Sequence, residues 1–191
     1  MERRRILVGV SGASGAPLAV ELLRALKRAP EVETHLICSR WGRETLSYEA
    51  GISPEELAGL ADRLYDNQSL GAGPASGSFL TRGMVVVPCS MKTLAGIVSG
   101  YSDTLLLRAA DVTLKERRRL ILVPRECPMS TLHLRNLAAA SELGAVIVPP
   151  VPAYYRHPET IEDVNRHIVG KLLELLELGG PRNPEWEGSP A

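Results

Sequence analysis

The stretch Arg5-Ile6-Leu7-Val8-Gly9-Val10-Ser11-Gly12-Ala13-Ser14-Gly15-Ala16 decides the fold. Its first half is an apolar run of strand length and its second half a turn of small residues. Residues 16–29, which follow directly, repeat their apolar positions about every 3.6 residues. A strand that passes through glycines straight into a helix opens a βαβ unit. The rhythm continues along the chain. Apolar runs at 32–38, 84–88, 120–124 and 145–149 alternate with helical patterns at 43–50, 54–61, 91–98, 104–118, 130–143 and 161–178. Most of the runs are nearly pure Val, Ile and Leu, as strands covered on both faces of a parallel sheet must be. Ser53-Pro54-Glu55-Glu56 reads as a capping box that starts a helix, and Gly179-Gly180 as the stop of the last one. The expected architecture is α/β, a doubly wound parallel sheet with right-handed crossovers.

At roughly 150 residues per domain, 191 residues point to one domain. We place it over 1–178 and read the proline-rich 179–191 as a tail. Lys plus Arg and Asp plus Glu number 22 each, so the formal net charge is zero. That balance argues against nucleic acid or an anionic membrane bound by bulk electrostatics. Apolar residues at 45% and charged residues at 23% exclude a disordered or collagen-like chain. Cys38, Cys89 and Cys127 form no CxxC and no zinc spacing, and read as reduced thiols. His35, His133, His157 and His167 show no metal spacing, so no metal site is expected. The run after the basic residues 1–5 is too short for a signal peptide, and no stretch approaches the roughly 20 apolar residues of a membrane span. A soluble cytoplasmic protein is expected.

Open α/β sheets bind ligands beyond the carboxyl ends of their strands, so the residues just after each apolar run are the ones that matter. Gly12-Ala13-Ser14-Gly15 is neither GxGxxG nor a P-loop, and an ordinary NAD or ATP site is not indicated. Alone, it fits an anion-binding turn or a bare tight connection. Ser39 and Ser90 each follow a strand and precede a helix, where a hydroxyl caps the helix, helps it hold a phosphate, or both. Arg125-Glu126 places a cation and a carboxylate after the fourth run. Arg108 and Lys115 share one face of an expected helix. Lys171 falls on the Val164, Ile168, Leu175 stripe that ought to be buried, and is either a snorkelling lysine or a charge aimed at a ligand. Glu49, one turn after Thr45, reads by default as a solvated carboxylate, and Tyr154-Tyr155 either close a pocket or simply pack.

Taken in order, several of these stretches closely resemble the UbiX-type flavin prenyltransferases, formerly labelled aromatic acid or phenylacrylic acid decarboxylases. They are Gly12-Ala13-Ser14-Gly15-Ala16, Pro74-Ala75-Ser76-Gly77-Ser78 and Pro88-Cys89-Ser90-Met91-Lys92-Thr93-Leu94-Ala95. Arg108-Ala109-Ala110-Asp111-Val112, Leu114-Lys115-Glu116-Arg117-Arg118, Leu122-Val123-Pro124-Arg125-Glu126 and Leu143-Gly144-Ala145-Val146-Ile147 complete the set. The resemblance covers residues 5–178. It implies a three-layer flavodoxin-like (Rossmann-like) subunit, assembled as a dodecamer with sites between subunits. It implies FMN bound as a reduced substrate, dimethylallyl phosphate as prenyl donor, no metal, and a UbiD-type decarboxylase that receives the prenylated FMN.

Carried over by position, Gly12, Ala13, Ser14, Ser39, Ser90, Met91, Lys92, Thr93 and Arg125 would hold FMN. Lys115, Tyr155 and Lys171 would hold the donor, with Arg108 and Glu126 lining the same site. Ser14 would lie near the flavin N5 and Glu49 would assist proton transfer; the tail with Trp186 either folds over the site, as a C-terminal tryptophan does in relatives, or is a disordered tail. Two positions depart from the family. Lys171 stands where many members have arginine, which keeps the charge and loses the bidentate fork. Leu70 stands near a position where some members carry an aromatic ring.

Three rivals stand beside this reading. An FMN-dependent cysteine decarboxylase would carry a PxMN-like segment where Pro124-Arg125-Glu126 stands, and an early histidine. A non-catalytic flavin carrier would leave the basic set superfluous. A stand-alone aromatic acid decarboxylase would need a residue placed to manage a substrate carboxylate, and none stands out.

Overall fold

In the computed structural model, which describes residues 3–178, every apolar run named above becomes a strand. The tail at 179–191, with Trp186, lies outside the described residues. The strands are β1 (Arg4–Val10), β2 (Val32–Cys38), β3 (Arg63–Tyr65), β4 (Gly83–Cys89), β5 (Arg119–Pro124) and β6 (Val146–Ile147). The helices are α1 (Ala16–Lys27), α2 (Arg40–Ala50), α3 (Pro54–Gly59), α4 (Met91–Ser99), α5 (Leu105–Lys115), α6 (Thr131–Glu142) and α7 (Ile161–Leu175).

All strand pairs are parallel, in the order β3-β2-β1-β4-β5-β6. This is the Rossmann order; without the three-residue edge strand β3, the remaining five follow the flavodoxin order. Side chains alternate between two cores. Ile6, Val8 and Val10 of β1, with Leu36, Val85 and Ile121, pack under α1 and α7. Leu7, Ile37, Met84, Val86 and Leu122 pack under α4 and α5 on the opposite face. Each such side chain contributes about 1.5–3 kcal/mol on burial, which is why the central strands tolerate almost no polar residue.

Four differences from the sequence reading have plain causes. β3 was not anticipated, because Arg63-Leu64-Tyr65 is short and has no apolar run. β6 covers two residues of the expected 145–149, because Pro149 and Pro150 have no N–H to offer a ladder. α5 ends at Lys115 rather than 118, because Arg117 takes a left-handed φ of 56° and the chain turns into β5 at Arg119. Inside the expected loop 67–78 lies one 3₁₀ turn, Gly73–Ala75.

Candidate active site

Strand order reverses between β1 and β4, so the helices that follow them, α1 and α4, leave to opposite faces of the sheet. A cavity of about 320 Å³ opens at this point, lined among others by Gly12, Ser39, Trp41, Asn67, Ser90 and Thr93. Gly12 is required by proximity: a Cβ there would collide with the Cβ of Trp41, so the first turn and the start of α2 close on each other only without a side chain.

Two helices present capped N-termini to the cavity. The Ser39 Oγ accepts from the Gly42 N–H at 2.9 Å at the head of α2. The Ser90 Oγ accepts from the Thr93 N–H at 3.3 Å and lies 3.1 Å from the Thr93 Oγ1 at the head of α4. Hydroxyls and free amides at two positive helix ends are the donor set that a phosphate requires. Behind them Ser11, buried at the end of β1, donates to the Pro88 carbonyl and accepts from the Ser90 N–H, both at 2.8 Å. Ser11 thereby fixes the β4 end against β1. Asn67 works similarly at α5: its carbonyl accepts from the Leu105 N–H (2.7 Å) and its Oδ1 from the Leu106 N–H (2.9 Å). Thr104, the residue at the N-cap position of this helix, makes no side-chain cap. Sequence reasoning missed both residues. A polar residue at the end of an apolar strand was the available signal for Ser11; Asn67 had none, since its partners are distant in the chain.

Glu49 is a correction. Rather than pointing into solvent, its Oε2 accepts from the N–H groups of Gly15 and Ala16, at 2.8 and 3.0 Å. Gly15, at a positive φ of 121°, offers no side chain to cap α1, so a carboxylate from α2 caps it instead. Partial burial pushes the Glu49 carboxyl up, but the two amides, the Ser14 hydroxyl and the Arg125 charge outweigh it and hold the group below its ordinary range. Glu49 is therefore ionised at neutral pH. Glu126 turns its Oε1 to the Cys127 N–H at 3.1 Å, and the Arg125 N–H bonds the Cys89 carbonyl at 3.2 Å, so both begin the loop that leaves β5. Burial pushes the Cys38 and Cys89 thiols up to about 12, which removes both as nucleophiles.

Lys92 lines this cavity, whereas Arg108, Lys115 and Lys171 are not among the residues that line it within one subunit. Arg108 donates from Nε to the Ala75 carbonyl (3.2 Å) and from a guanidinium nitrogen to Asp111 (2.6 Å). Lys115 pairs with Glu116, and a Cβ on Gly77 would come within 2.9 Å of its Nζ, so the Pro74-Ala75-Ser76-Gly77-Ser78 loop is seated against both cations. Tyr155 meets His167 edge-on at 6.4 Å between centroids. Lys171 corrects the expected buried stripe: Ile168, Val169, Leu172 and Leu173 form the buried face of α7, and Lys171 is exposed, paired with Glu174 at 3.1 Å. The stripe was misassigned by about one residue's rotation, because α7 buries a face centred on 168, 172 and 176 rather than on 164, 168, 171 and 175.

The Flavoprotein family pattern matches residues 1–173. The flavin prenyltransferase LpdB of Lactiplantibacillus plantarum is 49% identical over 185 residues, covering 97% of this chain and 99% of the relative. A crystal structure of a dodecameric FMN-dependent UbiX-like decarboxylase from Escherichia coli O157:H7 matches with a TM-score of 0.93 at 50% identity, over 96% of this chain and 100% of that one. This chain belongs to the UbiX-type flavin prenyltransferase family. A second UbiX structure, AnUbiX (PadA1) in complex with FMN and dimethylallyl pyrophosphate, matches with a TM-score of 0.92 at 49% identity, over 97% of this chain and 100% of that one. Among the described residues, no helix is long and apolar enough to cross a membrane.

Proposed function

We propose that this chain prenylates reduced FMN, transferring the dimethylallyl group of dimethylallyl phosphate to N5 and C6, and that a UbiD-type decarboxylase receives the product. The allylic C–O bond breaks and phosphate leaves with the bonding pair, while one carbon bonds to N5 and another to C6. Protons leave N5 and C6; one joins the prenyl chain and the other departs with phosphate. The observation that carries the reading is the pair of hydroxyl-capped helix ends at the sheet's switch point, in a chain 49% identical to a flavin prenyltransferase along nearly its whole length.

Ser39, Ser90 and Thr93 would hold the FMN phosphate, and Gly12, Ala13 and Ser14 would line the flavin. Met91, Lys92 and Arg125 complete that set. Glu49, ionised and bonded to Ser14, accepts a proton and returns it through the Ser14 hydroxyl. Arg108, Lys115, Tyr155 and Lys171 would meet the donor phosphate, where charge develops as the C–O bond breaks, and Glu126 lines the same space. These residues occupy separate regions of one subunit, which supports a site completed by neighbouring copies, as in a dodecamer like that of the Escherichia coli relative. Closure by several subunits excludes the water that would quench an allylic cation. Residues 1–178 act as one domain in this reading, and unpaired Cys38, Cys89 and Cys127 suit the cytoplasm.

The test is anaerobic incubation of the purified protein with reduced FMN and dimethylallyl phosphate. Mass spectrometry should find one prenyl unit added to the flavin. A flavin left unmodified after long incubation overturns the proposal.

A further inference from the structure

A second cavity, of about 630 Å³, lies at the opposite end of the sheet, below the amino ends of β4 and β5. Arg82, Arg117, Arg118 and Arg119 line it, and among the described residues Glu177 is the one carboxylate on its wall. The chain as a whole carries equal numbers of basic and acidic residues, so this excess is local. The fold assembles it from separate segments: β4 begins beside Arg82 and pairs Gly83 with Arg119 of β5, while the turn between α5 and β5 contributes Arg117 and Arg118.

Glu177 does not neutralise the cluster. Its two carboxylate oxygens already face Arg82 and Arg119. Arg118 spends its guanidinium on the neutral carbonyls of Gly77 and Phe79, at 2.6 and 2.8 Å, and keeps its charge. Arg117 has no side-chain partner among the described residues, and it is held in a left-handed conformation, φ 56°, which favours glycine. Thr81, on the same wall, has a buried hydroxyl without a partner among the described residues. Like charges gathered in a concave site repel one another unless an anion joins them, and guanidinium forks match phosphate oxygens in pairs.

We propose that this cavity binds a phosphate-class dianion, either free inorganic phosphate or a phosphate monoester whose body fills the remaining volume. The site is separate from the flavin crevice, and the proposal stands or falls independently of the prenyltransferase reading. Calorimetric titration of inorganic phosphate into the full-length, FMN-saturated protein tests it. Arg117→Gly removes the guanidinium while suiting the left-handed backbone, so the fold is kept. It should weaken one phosphate-binding event by about tenfold, as loss of a charge-assisted contact does, whereas Arg117→Lys should weaken it less. Lys115→Ala should leave that event in place. A parallel titration with adenosine monophosphate separates the sources: equal affinity identifies the free ion as the ligand, and tighter binding identifies the ester. An isotherm unchanged by Arg117→Gly, or abolished by Lys115→Ala alone, places all phosphate elsewhere and overturns the proposal.

Discussion

The cavity at the sheet's switch point and the cations proposed to meet the donor are built on different principles. At the switch point, the strand ends, Ser39, Ser90, Ser11 and Asn67 are locked by hydrogen bonds to backbone, so the cavity is shaped within one subunit. The cations proposed for the donor are already matched with carboxylates close in sequence: Lys115 with Glu116, Arg108 with Asp111, Lys171 with Glu174. Such half-exposed pairs are each worth roughly 0–1 kcal/mol, so they hold a cation in place without competing seriously with a dianion. One region is preorganised by the backbone; the other is a set of charges held in exchangeable ion pairs at the surface of the subunit.

If the two regions are separable, substitutions in one should spare the other. Lys115→Ala has the largest expected effect. It should lower kcat/KM for dimethylallyl phosphate by about a hundredfold to a thousandfold, as loss of one group that meets developing charge does, while the FMN dissociation constant stays put. Equal damage to FMN binding would break the distinction. Glu49→Gln should slow product formation by about tenfold to a hundredfold with FMN still bound, because the amide oxygen can still accept from a backbone N–H while the side chain no longer takes a proton. Loss of FMN in this variant would make Glu49 a structural cap alone.

Ser11→Ala leaves the part-buried Ser90 N–H without its acceptor, while the Pro88 carbonyl keeps the Ser11 backbone N–H at 3.2 Å, and urea unfolding should show a loss of about 1–3 kcal/mol. FMN affinity should fall with it, and the KM for the donor should not. Acid titration of the FMN-free protein sharpens the point further. The Glu49 carboxyl is held low in the folded state, so its contribution to stability is complete above the unfolded value of about 4.3 and disappears as pH falls through the lower folded value. Glu49→Gln should flatten that acid limb; an unchanged limb would mean that the cap contributes nothing. The smallest effect belongs to Lys171→Arg, which restores a bidentate fork and should lower the KM for the donor by about two- to fivefold.

Much of the crevice could be read from sequence because its logic is local. A serine between a strand and a helix is a cap wherever the rest of the chain goes, and Ser39 and Ser90 are caps. The anchoring of that crevice could not be read. Glu49 caps a helix that begins 33 residues earlier, and Asn67 caps one that begins 38 residues later, as α1 and α5 are bounded. Lys171 shows the opposite failure: an i, i+4, i+7 pattern gives a face only to within one residue's rotation, and the partner surface chooses among the candidates.

By itself, the order of apolar runs and turns determined a parallel doubly wound sheet, and with it the end of the sheet where a ligand binds, because strand handedness and backbone hydrogen bonding leave few other arrangements. The tertiary structure alone decided which carboxylate guards the first glycine turn, which face of α7 is buried, and that four arginines from two segments line a second cavity. Contacts between residues distant in the chain depend on how the layers pack, and packing is a property of the whole core that no local pattern encodes.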